Sequence, residues 1–350
     1  MSAKRRKIYH RRRRIGIFLT VLLLGMVGIY LVSCAQKVAS AQTPLVKPIQ
    51  NMDIENKPGD VTSAAAETQA SAPLAEVVTK PPVEYPTQTA EAAAFDPGLV
   101  SSEYAVLLDV SANKVLAARN ADTRFYPASL TKIMTLLVAA EKISDMEATF
   151  TMTEQIIAPL VRQDATRAGF SEGEVVNMTD LLYGAALPSG ADATQGLALF
   201  LCGSEEAFVA CMNEKAQQLG LKDTHFVNTS GLHDPDHYTT ATDMAVILEN
   251  AIKNDLCREI LATYKYTTSS TPQHPEGILL ESTMFSRMYG TEVENVTIEG
   301  GKTGYTDESR HCLASFASKD GRDYIAVTFA GSGRYKPVYD AFAIYGHYLP

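Results

Sequence analysis

A serine and a lysine three residues apart, Ser129 and Lys132 in the segment SLTK, carry the clearest chemical signal in the chain. If this segment begins a helix, the two side chains share one face and the amine reaches the hydroxyl. A lysine that is partly buried near a second cation loses its charge and can accept the serine proton. Free backbone N–H groups at the helix start would stabilise an oxyanion. We therefore predict nucleophilic catalysis by Ser129. A second S-x-x-K match, Ser111 to Lys114, falls in a predicted turn and is not expected to be catalytic.

Two further polar segments follow Ser129 along the chain. The first, PSG around Ser189, lies between two predicted helices and supplies a second hydroxyl. The second, Lys302-Thr303-Gly304, ends a predicted strand and offers a cation, a hydroxyl and a glycine that permits close approach of a ligand backbone. The ordered triple of S-x-x-K, an S-x-N-like segment and K-T-G is the signature of beta-lactamases and penicillin-binding proteins.

From about Ser101 to its C-terminus the chain resembles the low-molecular-mass penicillin-binding D-alanyl-D-alanine carboxypeptidases. Besides the three motifs, the resemblance rests on YPASLTKIMT, DLLYGAALPSGADA, MNEKAQQLGLKDTHFVNTSGLHDPDHYTTATDMA and GGKTGYTDE. It implies an α+β fold of the beta-lactamase/DD-peptidase type, with an antiparallel five-stranded sheet flanked by helices and a mainly helical lobe. It also implies a serine peptidase that removes the terminal D-alanine from peptidoglycan stem peptides, is inhibited by beta-lactams and needs no cofactor.

The resemblance assigns roles in catalysis. Ser129 would be the acylated nucleophile and Lys132 the base for acylation. Ser189 would relay protons. The oxyanion hole would be formed by the backbone N–H groups of Ser129 and Tyr305.

The resemblance also assigns residues to substrate binding. Lys302 and Thr303, followed by Gly304, would hold the terminal carboxylate of the substrate. Arg334, in GSGRYKP, falls where family members often place an arginine that steers this carboxylate.

Ala191 departs from the family pattern, because the second motif usually ends in asparagine. The missing amide would contact the substrate backbone and the lysine, and losing one such contact costs about 1–3 kcal/mol. A degenerate peptidoglycan-binding or sensing module is therefore an alternative. A class A beta-lactamase is another, but no E-x-x-L-N element follows the second motif to activate the deacylating water.

Hydrophobic periodicity predicts the elements that position these residues. The predicted strands are Ser102–Val110, Val115–Arg119, Thr297–Thr303, His311–Ser318 and Tyr324–Ala330. The predicted helices are Ser129–Ile143, Thr179–Leu187, Ala191–Leu201, Glu205–Leu219, Thr242–Lys253 and Tyr335–Tyr348. Because strands lie at both ends and helices between them, we expect one antiparallel sheet beside a helical lobe.

The N-terminus has the features of a membrane segment. Residues 1–14 hold eight Lys or Arg and no acid, and residues 15–33 hold no charge. As a helix, the uncharged stretch is about 28 Å long, close to the thickness of a bilayer core. The positive-inside rule places the following chain outside the cytoplasm. We expect a retained anchor over residues 1–34, with cleavage near Ala39-Ser40-Ala41 or lipidation of Cys34 as alternatives.

The remaining chain is divided by composition. Residues 35–97 contain eight of the sixteen prolines and are rich in Ala, Thr, Glu and Ser, which predicts a disordered linker. The catalytic domain is predicted over residues 98–350. Residues 15–350 hold 23 basic and 40 acidic groups, and this acidic balance argues against a nucleic-acid partner.

Histidines and cysteines give weaker signals. His233 and His237 are four residues apart, but they lie in a loop-like segment and not on a helix face, so we expect no metal site there. The five cysteines contain no C-x-x-C pair. We predict that the four cysteines after Cys34 are free thiols.

Overall fold

A six-stranded mixed sheet organises the computed structural model, which describes residues 84–288 and 293–350. The strands in these residues are β1 (Thr87–Ala94), β2 (Tyr104–Asp109), β3 (Lys114–Arg119), β4 (Thr149–Thr151), β5 (Val175–Asn177), β6 (Lys265–Thr267), β7 (Leu279–Glu281), β8 (Thr297–Thr306), β9 (Arg310–Lys319) and β10 (Arg322–Gly331). The main sheet has the order β1-β3-β2-β10-β9-β8. Strands β3, β2, β10, β9 and β8 pair antiparallel, and β1 joins β3 in parallel. The sheet therefore combines the two ends of the domain, as predicted.

Helices cover both faces of this sheet. Those in the described residues are α1 (Thr131–Lys142), α2 (Glu154–Arg162), α3 (Met178–Ala186), α4 (Ala191–Cys202), α5 (Glu205–Gln218), α6 (Ala241–Ile252), α7 (Asp255–Ala262) and α8 (Lys336–His347). Helix α8 packs against β9 and β10 in one hydrophobic core, and α6 packs against β2 and β10 in a second hydrophobic core. The hydroxyl of Tyr345 accepts from the Ala326 backbone N–H at 3.1 Å and donates to the Ser315 carbonyl at 2.9 Å, which ties α8 to the sheet.

Helix α1 lies at the centre of the helical lobe. It contacts α3, α4, α5, α6 and α7, and every residue from Thr131 to Ala139 is buried. Burial on all sides, which here includes the polar Thr131, Lys132 and Thr135, makes α1 a core element. The segment that carries Ser129 and Lys132 is therefore anchored to a helix in the core of the lobe.

The α+β class and the five antiparallel strands agree with the expectation from the sequence. Strands β2 and β3 form the predicted hairpin, and Ser111 lies in the turn between them. Asp320 and Gly321 form the turn between β9 and β10. The six predicted helices correspond to α1, α3, α4, α5, α6 and α8, with ends shifted by one or two residues. The two further helices, α2 and α7, were not predicted.

The prediction of a disordered linker is wrong for one segment. Residues Thr87–Ala94 form β1, which pairs with β3 along the edge of the sheet. The stretch contains mostly Ala and Thr, so it lacks the apolar alternation that marks a strand, and backbone pairing to β3 supplies the order. The predicted anchor over residues 1–34 and the rest of the linker up to residue 83 lie outside the described residues. Within those residues, none of the helices has the length and apolar character needed to cross a bilayer.

Candidate active site

Ser129 lies in a short 3₁₀-helix, Ala128–Leu130, that leads directly into α1. Ala128 has a φ of 47°, in the left-handed region where residues with a Cβ are strained. Strand β8 lies against this turn, because a Cβ added to Gly304 would stand 3.2 Å from the backbone nitrogen of Ser129. The sequence predicted that this glycine admits a ligand backbone. In the structure, the missing Cβ of Gly304 leaves room for the turn that contains Ser129.

Lys132 lies in the first turn of α1, where its side chain is only 2% exposed. Its Nζ is 3.3 Å from Oγ of Ser129 and donates to the carbonyl of Ser230 at 2.6 Å. Burial lowers the pKa of Lys132 to about 7, and the nearby Asp192 opposes this shift. Near neutral pH a substantial fraction of the amine is uncharged, so it can accept the serine proton.

The second motif presents a hydroxyl without a protein partner. Ser189 has a φ of 73°, and its buried Oγ has no hydrogen-bond partner within the described residues. Ala191, the first residue of α4, is buried and offers no side-chain acceptor. Lys132 instead donates to the backbone carbonyl of Ser230.

Asp192 holds a loop against the start of α4. Its buried carboxylate accepts the backbone N–H of Ala168 at 2.7 Å and that of Gly169 at 3.1 Å. Burial raises the pKa of Asp192, while these backbone hydrogen bonds act in the opposite direction. The aspartate was not predicted as a site residue, although it directly follows the second motif.

Thr283 links the second motif to the third. Its backbone N–H donates to the carbonyl of Leu187 at 3.1 Å, and its hydroxyl accepts from Oγ1 of Thr303 at 2.7 Å. Lys302 is 1% exposed, and its Nζ donates to the Thr303 carbonyl at 2.9 Å. Burial lowers the pKa of Lys302, and the charges of Lys132 and Arg287 lower it further.

Arg287 is a site residue that the sequence did not reveal, since no recognisable motif surrounds it. It lies in a 3₁₀-helix, Phe285–Arg287, and its buried Nε has no hydrogen-bond partner within the described residues. Burial lowers the pKa of Arg287, and the charge of Arg334 adds to this effect. We use the name cationic cluster for Lys302, Arg287 and Arg334. Lys302 is buried, and none of the three cations has an ion-pair partner among the described residues. An unpaired buried cation is costly, so this cluster is suited to receive an anion.

Tyr305 lies at the rim of the site. Its side chain is 52% exposed, and its hydroxyl donates to Oδ1 of Asp307 at 2.7 Å. Its ring stacks on that of His311, with 4.4 Å between the centroids. Burial lowers the pKa of His311, and the two arginines of the cationic cluster add to this effect.

The two histidines of the GLHDPDHYTT segment contact protein groups in different places. Nε2 of His237 lies 2.7 Å from Oγ1 of Thr131, and its Nδ1 accepts the Val227 backbone N–H at 3.2 Å. His233 lies 3.8 Å from the carboxylate of Glu308. Nothing in the sequence indicated the contact between His237 and the S-x-x-K segment.

Comparison with protein-family models gives a match between residues 88–333 and the D-alanyl-D-alanine carboxypeptidase family. Among curated proteins, D-alanyl-D-alanine carboxypeptidase DacF of Bacillus subtilis is 34% identical over 229 residues, which is 65% of this chain and 57% of the relative. DacA of Escherichia coli is 31% identical over 246 residues, covering 66% of this chain and 57% of the relative. The chain thus spans little more than half the length of these relatives.

Solved structures share the fold. A variant of a Streptomyces DD-transpeptidase superposes with a TM-score of 0.66 and 28% identity, covering 71% of this chain and 99% of that protein. Penicillin binding protein 5 from Haemophilus influenzae superposes with a TM-score of 0.62 and 27% identity, covering 71% of this chain and 70% of that protein.

Proposed function

The chain belongs to the D-alanyl-D-alanine carboxypeptidase family, and we propose that it is a serine peptidase that removes the terminal D-alanine from peptidoglycan stem peptides. The observation that carries this proposal is the contact between Lys132 and Ser129. A buried amine with a pKa lowered to about 7 lies 3.3 Å from a hydroxyl in a tight turn. This is the geometry of a nucleophile beside its own base.

Acylation would begin with transfer of the Ser129 proton to Nζ of Lys132. The serine oxygen would attack the carbonyl carbon between the two D-alanines, and the carbonyl oxygen would become an oxyanion. Backbone N–H groups of Ser129 and Tyr305 would stabilise this charge. Collapse of the intermediate would break the C–N bond, and the proton would pass to the departing amine of D-alanine, leaving an acyl-Ser129.

The cationic cluster would bind the leaving end of the substrate. Lys302 is buried and has no carboxylate partner among the described residues, and Thr303 presents its hydroxyl beside it. Arg287 and Arg334 add positive charge at the same end of the site. Selection for a terminal carboxylate explains why the enzyme would act as a carboxypeptidase and would accept beta-lactams, which carry a carboxylate.

Hydrolysis of the acyl-enzyme would complete the cycle. A water molecule would attack the ester carbonyl and give its proton to the amine of Lys132, directly or through the hydroxyl of Ser189. The bond between the carbonyl carbon and Oγ of Ser129 would then break, and the proton would pass to Oγ, which regenerates Ser129. The buried Oγ of Ser189 has no protein partner in the described residues, which supports this relay. No cofactor enters these steps.

We further propose that the protein acts at the outer face of a membrane. The basic residues 1–14 and the uncharged residues 15–33 would form a retained anchor, and the residues that follow would hold the catalytic domain at the cell wall. Lipidation of Cys34 or release by cleavage are the alternative forms.

The proposal is tested by intact-mass spectrometry of the full-length chain after incubation with a penicillin. We expect one adduct, lost in Ser129→Ala and retained in Ser111→Ala. The second variant is a matched control, because Lys114 of that S-x-x-K match is paired with Glu91 at 3.1 Å. An adduct at Ser111 would contradict the assignment of the nucleophile.

D-alanine release from a diacyl-D-Ala-D-Ala peptide tests the peptidase activity itself. A stable penicillin adduct without release of D-alanine would favour a binding or sensing module. Rapid decay of the adduct would favour a beta-lactamase.

A further inference from the structure

Two half-buried cysteines lie in contact at the junction of α4 and α5. Cys202 is the last residue of α4, and Cys211 lies in the second turn of α5. Their Sγ atoms are 4.0 Å apart. The sequence predicted free thiols, and the four cysteines of the described residues are thiols in the structure. The contact itself had no sequence signal, because it crosses from one helix to the next.

The connection between the two helices holds these thiols together. Gly203 ends α4 in the left-handed region, with a φ of 78°. Ser204 then caps α5, and its hydroxyl accepts the backbone N–H of Ala207 at 3.1 Å. Because both ends of this short connection are fixed, α5 folds back against α4. A disulfide requires the sulfurs to approach by about 2 Å, which a change of side-chain rotamer allows.

A cation lies beside the pair. Lys142 is the last residue of α1, and its hydrogen bond with the sulfur of Cys211 raises the pKa of the lysine. A neighbouring ammonium stabilises negative charge on sulfur, and a thiolate is the form that attacks disulfides. Burial raises the pKa of Cys202, and the neighbouring Cys211 adds to this effect. The contact with Lys142 therefore favours Cys211 as the attacking thiol.

The other two cysteines of the described residues have different surroundings. Cys257 of α7 is fully buried, and Cys312 of β9 is 1% exposed. Burial raises the pKa of each thiol to about 12. Buried thiols of this kind are inert towards exchange. They serve as internal controls for the reactivity of the pair.

We propose that Cys202 and Cys211 form a reversible disulfide, with a small-molecule or protein disulfide as the oxidant. The thiolate of Cys211 attacks one sulfur of the oxidant and displaces a thiolate, which leaves a mixed disulfide on Cys211. Cys202 then loses its proton and attacks Sγ of Cys211, and the second thiolate departs. Two protons and two electrons leave the protein, and the oxidant becomes two thiols. A position outside the cytoplasm, as proposed above, supplies such an oxidant.

The disulfide would brace a segment that reaches the catalytic base. Glu205 begins α5, and its carboxylate accepts the backbone N–H of Thr229 at 2.9 Å. The next residue, Ser230, accepts the hydrogen bond from Lys132 at 2.6 Å. A covalent link between α4 and α5 restricts the unfolded chain and so stabilises the folded domain. It does this without adding a group to the active site.

Peptide mapping tests the proposal. The full-length protein is incubated with oxidised glutathione, denatured, alkylated with iodoacetamide and cleaved after glutamate. Glu205 and Glu206 lie between the two cysteines, so this cleavage separates them unless a disulfide joins the peptides. We expect one linked pair, from Cys202 and Cys211, which disappears after reduction with dithiothreitol. The two buried cysteines should carry the alkyl group in every sample.

The melting temperature gives a second readout. The oxidised wild type should melt about 5 °C or more above the reduced wild type. Cys202→Ser and Cys211→Ser should each abolish both the linked peptides and this difference. Lys142→Gln should slow formation of the disulfide about threefold or more. Lys253→Gln is its matched control, since Lys253 is an exposed lysine near the end of another helix, and should form the disulfide at the wild-type rate.

Alkylation of both Cys202 and Cys211 after treatment with oxidised glutathione would overturn the inference. So would glutathione retained on either thiol, or a link to Cys257 or to a second chain. An unchanged rate in Lys142→Gln would overturn the assignment of Cys211 as the attacking thiol. These measurements use no peptide substrate, so their outcome is independent of the proposed peptidase activity.

Discussion

Oγ1 of Thr131 and Nε2 of His237 lie 2.7 Å apart, which joins the middle of the S-x-x-K segment to a buried imidazole. The backbone N–H of Val227 donates to Nδ1 of the same ring, so the proton lies on Nε2 and is donated to Thr131. Burial lowers the pKa of His237 to about 4. The ring is therefore neutral at physiological pH. It donates a hydrogen bond to Thr131, which lies between Ser129 and Lys132 in the sequence.

We predict that His237→Leu slows acylation of Ser129 by penicillin about tenfold or more, because small displacements of reacting groups have large effects on rate. His237→Gln should recover most of the rate, since its amide can still donate to Thr131. Stopped-flow acylation of folded protein, checked by circular dichroism, measures the effect. In a Thr131→Val background the leucine substitution should have little further effect. A leucine variant as fast as wild type would contradict the positioning role.

The parts of the fold and site that could be predicted are those with a local signal. The turn at Ser111, the helix that begins near Ser129 and the strand that carries Lys302 all follow from spacing and residue type. The contact between Ser129 and Lys132 needs one helical turn, so the sequence alone was sufficient for it.

The remaining contacts depend on the path of the chain. Every residue has a backbone carbonyl, so nothing in the sequence selects Ser230 as the acceptor for Lys132. Arg287 stands outside any motif, and its place near Lys302 depends on how the segment before β8 folds. Strand β1 is a non-local parallel pairing of a segment whose composition is that of a linker.

A second prediction concerns pH. With its pKa lowered to about 7, Lys132 is charged below this value and neutral above it. A base must be neutral, so the rate constant for acylation should rise about tenfold from pH 6 to pH 8 and then level off. Lys132→Arg should lose acylation across the range, because a guanidinium does not deprotonate. A rate constant equal at pH 6 and pH 8 would exclude Lys132 as the base.

A third prediction concerns the effect of side-chain size at position 302. From the sequence, Lys302→Arg is expected to slow acylation far less than Lys302→Ala, since the charge is kept. The structure changes this expectation, because the side chain is 1% exposed and arginine would enlarge a fully buried side chain, which disturbs its packing. We now predict losses of similar size, about a hundredfold, in the second-order rate constant with penicillin. Lys253→Arg is the control, since Lys253 is exposed, lies outside the site and should tolerate the exchange. An active Lys302→Arg would show that charge alone suffices.

A fourth prediction follows from the cationic cluster. Burial, Lys132 and Arg287 lower the pKa of Lys302 in the free protein. A ligand carboxylate favours the charged amine and raises this pKa, so binding should take up protons. The sign follows directly: affinity for the carboxylate should strengthen as pH falls through the interval between the free and bound pKa values.

The measurement is calorimetry of a diacyl-D-Ala-D-Ala peptide binding to full-length Ser129→Ala at pH 7, in phosphate and in Tris. Because these buffers differ in ionisation enthalpy, uptake of up to about one proton appears as a difference between the two binding enthalpies. A peptide with a C-terminal carboxamide should show no difference. Adding Lys302→Met should reduce the uptake, which separates Lys302 from Lys132. Equal enthalpies in both buffers would mean that the protonation of Lys302 does not change on binding, which would contradict this prediction.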